Sequence, residues 1–279
     1  MTGKLTDIRR RVRSVQNTQK MTRAMKSISA SKLRKALVTL SHLKGYLQEL
    51  ESIIRILLPK VDTSENQFFA GTGEGTDLLL VISADKGLCG SFNDEVMARL
   101  QQEREENPEA ELVVVGKKAI RYLNRRGIPV RKSYPGLIGQ LTFEESGRLS
   151  RHLEKIFLDK SCRSLKVVHV PYTAVYTHSV TLTRLLPLSF DGSPDGRETA
   201  GEYPEYIIEP DPARFFDSLV KEYIPSLVYR LLLESWASVN RVRMVAMDKA
   251  SQNASELVTN LTLSMNKLRQ ESITGELLE

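Results

Sequence analysis

Proline is almost missing from both ends of this 279-residue sequence. None lies between Leu5 and Leu58, and Pro225 is the only one after Ala213. Gly45 is the sole interior glycine of the first stretch. Without breakers, each stretch can run as one helix, Leu5–Leu58 and Ala213 to about Thr274, with Pro225 kinking the second near its base. At about 1.5 Å per residue these reach roughly 80 and 90 Å, longer than a globular helix needs. Long apolar runs are missing too: none approaches the roughly 18 residues that a membrane-spanning helix requires. Aromatics make up only 6% of the chain, too few for one thick core and suited to helices packed as a rod. Two cysteines, Cys89 and Cys162, lie far apart without metal-ligand spacing. They exclude a disulfide scaffold and make a reducing compartment the default.

Acid is the last scarcity. Residues 1–60 hold 14 Lys/Arg against 3 Asp/Glu, whereas residues 61–210 hold 18 against 22 and residues 211–279 hold 8 against 9. The first helix therefore calls for an acidic partner, an acidic collar or a polyanion. Its basic, Ser-rich residues 4–35 also match a transit peptide in composition, but the same periodicity continues to Leu58, past any cleavage site.

What is present is a heptad seam. One position runs Leu5, Val12, Gln19, Lys26, Leu33, Leu40, Leu47, Ile54; the other runs Ile8, Val15, Thr22, Ser29, Ala36, Leu43, Leu50, Leu57. This 3–4 spacing is that of a coiled coil. It predicts a break between Gln19 and Ser29, where Met21, Met25 and Ile28 carry the apolar surface in a new direction. Methionine suits a contact that must be remade repeatedly. In the second helix the predicted stripe is Val228, Leu232, Ser235, Val239, Val242, Ala246, Ala250, Ala254, Leu257, Leu261 and Leu268, with Asp211 as N-cap. The stretch near Leu268–Thr274 is expected to outrun the first helix.

Between the helices, Leu78–Ser83, Glu111–Val115, Lys166–Val170 and a weaker Val130–Ser133 read as strands, with Val180–Leu188 as an edge strand. Helical patterns at Asn93–Arg104, Lys117–Arg126 and Thr142–Asp159 alternate with them. The expected fold class is α/β: a long antiparallel coiled coil of the terminal helices plus a central open, mostly parallel, Rossmann-like domain. The expected organisation is a coiled-coil helix over 1–60, an α/β domain over 61–211 and a second coiled-coil helix over 212–279.

Such a sheet invites a nucleotide. Gly71, Gly73 and Gly75 precede the first strand, the wrong place for a dinucleotide fingerprint. Gly87 and Gly90 lie in a strand-to-helix turn that could hold an anion, but no G-x-x-x-x-G-K-[ST] is present, and a tight packed turn is the simpler expectation. His42, His152, His169 and His178 fall on separate elements, and no base accompanies Cys89. No catalytic residue, cofactor or metal is expected. An α/β enzyme with coiled-coil oligomerisation arms is the competing reading. Nucleic-acid binding by the basic helix is a third, weakened by the lack of interleaved aromatics.

Three segments carry a resemblance: Ser14-Val15-Gln16-Asn17-Thr18-Gln19-Lys20-Met21-Thr22-Arg23-Ala24-Met25-Lys26; Asp85-Lys86-Gly87-Leu88-Cys89-Gly90-Ser91-Phe92-Asn93; and Arg243-Met244-Val245-Ala246-Met247-Asp248-Lys249-Ala250 with Asn253, continuing to Asn266–Thr274. In this order and at these separations the chain resembles the gamma subunits of F-type ATP synthases. The resemblance implies a central-stalk rotor coupling ion translocation to ATP synthesis or hydrolysis. Its implied partners are the alpha and beta subunits of the head, the epsilon subunit and the c-subunit ring. Nucleic acid is not expected, and membrane contact would come only through the complex, at the cytoplasmic face of a bacterial inner membrane. Carried over by motif, Met25 would meet the acidic lever loop of a beta subunit, and Met21 is expected as a further partner contact in the coupling region. Arg243 would lie in the coupling region, and Arg269, Gln270 and Thr274 would touch catalytic-subunit loops. Members usually continue several residues beyond the position of Glu279, so a short tip is expected. The photosynthetic type of cysteine-containing insertion near residues 190–205 is not present, so thiol regulation of that kind is not expected.

Overall fold

In a computed structural model, residues 2–64, 66–70, 75–159, 162–173, 179–190 and 211–278 are described. Helix α1 spans Thr2–Leu57 and helix α6 spans Pro212–Leu278, the latter running on through Pro225. Asp211 caps α6 by accepting the Arg214 amide at 3.2 Å, and Pro212 takes the first helical position, where a missing N–H costs nothing. Between them come α2 (Gln67–Ala70), β1 (Thr76–Ile82), α3 (Phe92–Glu106), β2 (Glu111–Val115), α4 (Lys117–Arg125), β3 (Lys132–Tyr134), α5 (Phe143–Leu158), β4 (Cys162–His169) and β5 (Thr181–Leu186).

Contacts divide the chain into two compact units: Met1–Arg34 with Leu88–Gly90 and Asn240–Glu279, and Lys35–Gly87 with Ser91–Val239. The second unit holds a five-stranded sheet of order β3-β2-β1-β4-β5. β1 pairs in parallel with β2 and β4, and β2 with β3; β5 is an antiparallel edge. β1 is fully apolar from Leu78 to Ile82 because both faces are covered. On α5, Thr142 accepts the Glu145 amide at 3.2 Å, one half of a capping box. From Tyr223 to Val239 no residue of α6 is exposed, and Phe216, Val220, Ile224, Val228 and Leu232 share one core with Leu47, Leu50, Ile54 and Leu57 of α1 and with the sheet. A helix buried on every side needs no polar face, which explains the weak periodicity of α6 there. In this unit Lys44 lines a groove with Glu234, while Glu51 hydrogen-bonds Tyr223, so α1 and α6 run antiparallel.

Gly116 joins β2 to α4 at φ +96°, and a side chain there would place its Cβ 2.1 Å from the Ser83 carbonyl oxygen. No other residue fits this joint.

Asp77, at the start of β1, is buried beside Arg163 (3.1 Å), Ser164 (2.9 Å) and Lys166 (2.7 Å) of the neighbouring strand. Burial pushes its pKa up, but the bonds from Arg163, Lys166 and Ser164 outweigh that and hold it at about 2. A depressed carboxylate stabilises the fold above its unfolded pKa of about 3.9 and loses that contribution as pH falls towards 2. Asp77→Asn is therefore expected to cost roughly 2–3 kcal/mol at neutral pH. Urea unfolding measured from pH 7 down to pH 2 should show the gap to wild type closing only below about pH 4.

Candidate functional site

The first unit is built on two helix segments. On α1, Leu5, Ile8, Val12, Val15 and Gln19 are half-buried while every other residue from 4 to 20 is exposed. The predicted seam therefore exists. It also continues where the pattern predicts a break: Thr22 and Ser29 are only 7% and 2% exposed. The hydroxyl of Thr22 is satisfied by the Gln19 carbonyl at 3.0 Å, so a small polar side chain can sit in the seam without an orphaned donor. On the α6 segment of this unit the buried residues are Asn240, Met247, Ser251 and Ala254, followed by half-buried Val258, Leu261, Met265 and Leu268. Leu257, predicted on the stripe, is instead 46% exposed, because the 3–4 spacing passes through Val258. Thr22, Ser29 and Ser251 are buried polar residues, which is why an apolar count along the sequence missed this part of the seam.

Met21 and Ile28 consequently point outward, at 59% and 56% exposure, one residue before the buried Thr22 and Ser29. Met25 is half-buried. Beside it, Lys26 Nζ lies 2.6 Å from Asp248 Oδ1, and Arg23 and Ser27 share a groove with Ser251, Gln252 and Ser255. The Lys26–Asp248 pair is some 40% exposed on each side, so it aligns the helices more than it stabilises them. Arg243 is half-buried, its guanidinium 3.2 Å from Asn240 Oδ1. It lies five residues, about 7.5 Å of helix rise, from Asp248, on the side away from Met21, so on antiparallel helices Met21, Met25 and Arg243 spread over roughly 15 Å around the Lys26–Asp248 pair. Arg269, Gln270 and Thr274 are exposed and lie roughly 30–40 Å farther along α6. The Thr274 hydroxyl donates to the Gln270 carbonyl at 2.9 Å. The six residues thus form two groups, a collar and an end. Residues 4–34 of α1 carry ten Lys/Arg and one acid, Asp7, which pairs with Arg10.

The nucleotide crevice can be tested directly. At the start of α4, the Lys117 amide donates to Asp85 at 3.1 Å, the Lys118 amide to the Ala84 carbonyl, and the Ala119 amide to Ser83 Oγ. The Gly136 and Gly139 amides also donate to Asp85, at 2.8 and 2.9 Å. Three amides at this end of the sheet, those of Lys117, Gly136 and Gly139, are thus taken by the chain's own carboxylate rather than left for a phosphate. At α3, Asp94 and Glu95 occupy the first turn and oppose an anion. Gly90 (φ +54°) packs so closely that a Cβ would come within 3.3 Å of Val242, while Leu88 (φ +59°) is 61% exposed. The Asp85 hub joins three loops spread over 54 residues, a convergence that motif reading could not find.

The titratable groups stay apart. His42 is exposed on α1. His152 bonds the Tyr134 hydroxyl at 2.7 Å. His169 is buried, with Nε2 2.9 Å from Thr183 Oγ1 and Nδ1 3.9 Å from Glu234. Burial, reinforced by Arg230, pushes its pKa down to about 4, so it is neutral at physiological pH. His178, Gly71 and Gly73 lie outside the described residues. Cys89 and Cys162 are buried thiols outside any disulfide, and burial raises the Cys162 pKa to about 11. Among the described residues no cluster of His, Cys, Asp and Glu could hold a metal, and no helix is long and apolar enough to cross a membrane.

A family model described as ATP synthase matches residues 4–279. The ATP synthase gamma chain of Moorella thermoacetica is 36% identical over 276 residues, covering 98% of this chain and 95% of the relative. That of Prosthecochloris aestuarii is 33% identical over 283 residues, covering 99% and 95%. Among solved structures, a chain of the Euglena gracilis mitochondrial ATP synthase (OSCP/F1/c-ring, rotational state 3) matches with a TM-score of 0.68 at 18% identity, covering 100% of this chain and 92% of that one.

The outward and inward faces of α1 make a checkable contrast. Ser29→Leu is expected to destabilise by about 1–3 kcal/mol through overpacking. Ile28→Ser is expected to change stability by less than about 0.5 kcal/mol, both read from thermal or urea unfolding.

Proposed function

The chain belongs to the ATP synthase gamma chain family, and from that premise we propose how its surfaces are used. It is the central-stalk rotor subunit of a rotary ATP synthase, coupling ion translocation through the membrane ring to ATP synthesis or hydrolysis in the alpha/beta head. Within that complex it performs no chemistry of its own. The single observation that carries this reading is the level of α1 at which Met21 and Ile28 face outward on a strongly cationic helix while Thr22 and Ser29 hold the seam.

The two terminal helices, 1–60 and 212–279, act as the shaft, and residues 61–211 as the domain that meets the epsilon subunit and the c-subunit ring. Met21, Met25 and Arg243 form the collar against the alpha and beta subunits. Lysines and arginines on α1 attract an acidic loop over several ångströms, and the thioether side chains keep that contact adaptable as successive subunits pass. Arg269, Gln270 and Thr274 make polar contacts farther along. The rod has no threefold symmetry, so three equivalent catalytic subunits meet different surfaces, and their conformational equilibria are biased differently. The complex sits at the cytoplasmic face of a bacterial inner membrane, with this chain peripheral.

The competing reading, an α/β enzyme with coiled-coil arms, needs a ligand near Gly87–Asn93, where Asp85 already satisfies the neighbouring amides. Met25→Lys separates the roles experimentally. It adds a cation beside the lever loop, so assembly with alpha and beta subunits is expected to persist while ions pumped per ATP fall. Unchanged pumping per ATP would remove the Met25 contact. Failure of the wild-type chain to co-purify with alpha and beta subunits as an ATPase would sink the rotor reading itself.

A further inference from the structure

A single carboxylate stands in the collar. From Ile8 to Gln48 the sequence of α1 holds no Asp or Glu, and on α6 Asp248 is the only acid between Glu234 and Glu256. Cations are plentiful at this level: Arg23 and Lys26 on α1, and Arg241, Arg243 and Lys249 on α6. The carboxylate engages Lys26, whose Nζ lies 2.6 Å from Oδ1.

Two roles for this pair compete. In the first it is a register key: Lys26 stands on the heptad seam in line with Val12, Gln19 and Leu33, and a lone polar residue there fixes how two helices align. Alignment is already set on the same two segments by half-buried Leu5, Ile8, Val12 and Val15 of α1 and Leu261, Met265 and Leu268 of α6. In the second role the pair keeps a charge away from a neighbouring surface. Met21, Ala24, Met25 and Ile28 are spaced i, i+3, i+4 and i+7, so they share one face of α1. Met21, Ala24 and Ile28 are exposed and Met25 is half-buried, which makes this face apolar and uncharged on a strongly cationic helix. Lys26 follows Met25 directly, and its flexible four-carbon stem would let a free ammonium swing over that face. The bond to Asp248 draws the ammonium to α6 instead. Both partners are partly exposed, so the pair adds little to stability, and its importance lies in where it holds the charge.

We propose that Asp248 is a positioning residue for the coupling contact: it holds Lys26 against α6, so that Met21, Ala24, Met25 and Ile28 meet the partner without a cation among them. The proposal rests on the rotor reading, in which acidic loops of successive subunits pass this face. A free ammonium there would pair with a passing carboxylate and hold the shaft at that angle. An apolar contact built on methionine is remade easily as the next subunit arrives.

The test uses the whole complex in membrane vesicles and compares ion pumping with ATP hydrolysis. Asp248→Asn releases Lys26 and is expected to lower ions pumped per ATP as Met25→Lys does, with the loss shrinking as salt screens the freed charge. Lys26→Gln is expected to lose less, since it leaves no cation to release. Lys26→Gln combined with Asp248→Asn is expected to recover the pumping that Asp248→Asn alone loses. A register key gives a different order: Lys26→Gln as harmful as Asp248→Asn, and no recovery when the two are combined. That order, or full pumping by Asp248→Asn, overturns the proposal. Should Asp248→Asn alone fail to assemble, assembly regained on adding Lys26→Gln supports the proposal, and failure of both overturns it. Failure of the wild-type chain to assemble with alpha and beta subunits would instead count against the rotor reading.

Discussion

The whole chain depends on one narrow strip of side chains. α1 buries a residue every third or fourth position from Leu5 to Leu57, and the partner strip comes from α6, more than 150 residues later in sequence. The quality of that burial changes along the helix. Leu47, Leu50, Ile54 and Leu57 are nearly inaccessible, whereas Leu5, Ile8, Val12 and Val15 are only half-covered. Buried apolar area sets the free energy of local opening, so the N-terminal part of α1 is held less tightly than its C-terminal part. In a solitary chain that is a weakness; in a complex it leaves surface for partners to cover.

Much of this was legible from residue order. Leu5 to Val15 and Leu40 to Leu57 show the heptad pattern openly, Asp211 announces the start of α6, and the apolar run Leu78–Ile82 could only be a buried strand. The places where residue reading went astray have a common physical cause. Thr22 and Ser29 look like gaps in an apolar pattern, yet they are buried, and α6 carries its own buried residues Met247, Ser251 and Ala254 beside Asp248, the partner of Lys26. Leu257 looks like a seam residue, yet its neighbour Val258 takes the position. In both cases burial is decided by the partner strand of the seam, which a single helix does not contain.

The α/β unit shows the same limit at longer range. A Rossmann-like sheet with glycines after its first strand suggests phosphate chemistry, and fold alone cannot answer that suggestion. Asp85 answers it by holding amides from residues 117, 136 and 139. Three loops must be in place before that role exists, and nothing in the spacing of residues 85–93 foretells it. The collar is similar: Met21 and Met25 gain meaning from their level beside Lys26 and Asp248, a pairing separated by 222 positions.

Gly116 has a consequence beyond its own turn. With the Ser83 carbonyl oxygen 2.1 Å from where a Cβ would stand, the position admits one amino acid of the twenty. Ser83 is itself committed, its hydroxyl donating to the Val115 carbonyl and accepting from the Ala119 amide. Two adjacent strands are thus joined by a pair of positions that cannot drift separately. Because the clash at Gly116 is with the backbone of residue 83, no side-chain change at 83 can relieve it, and this crossing is a fixed point in the sequence.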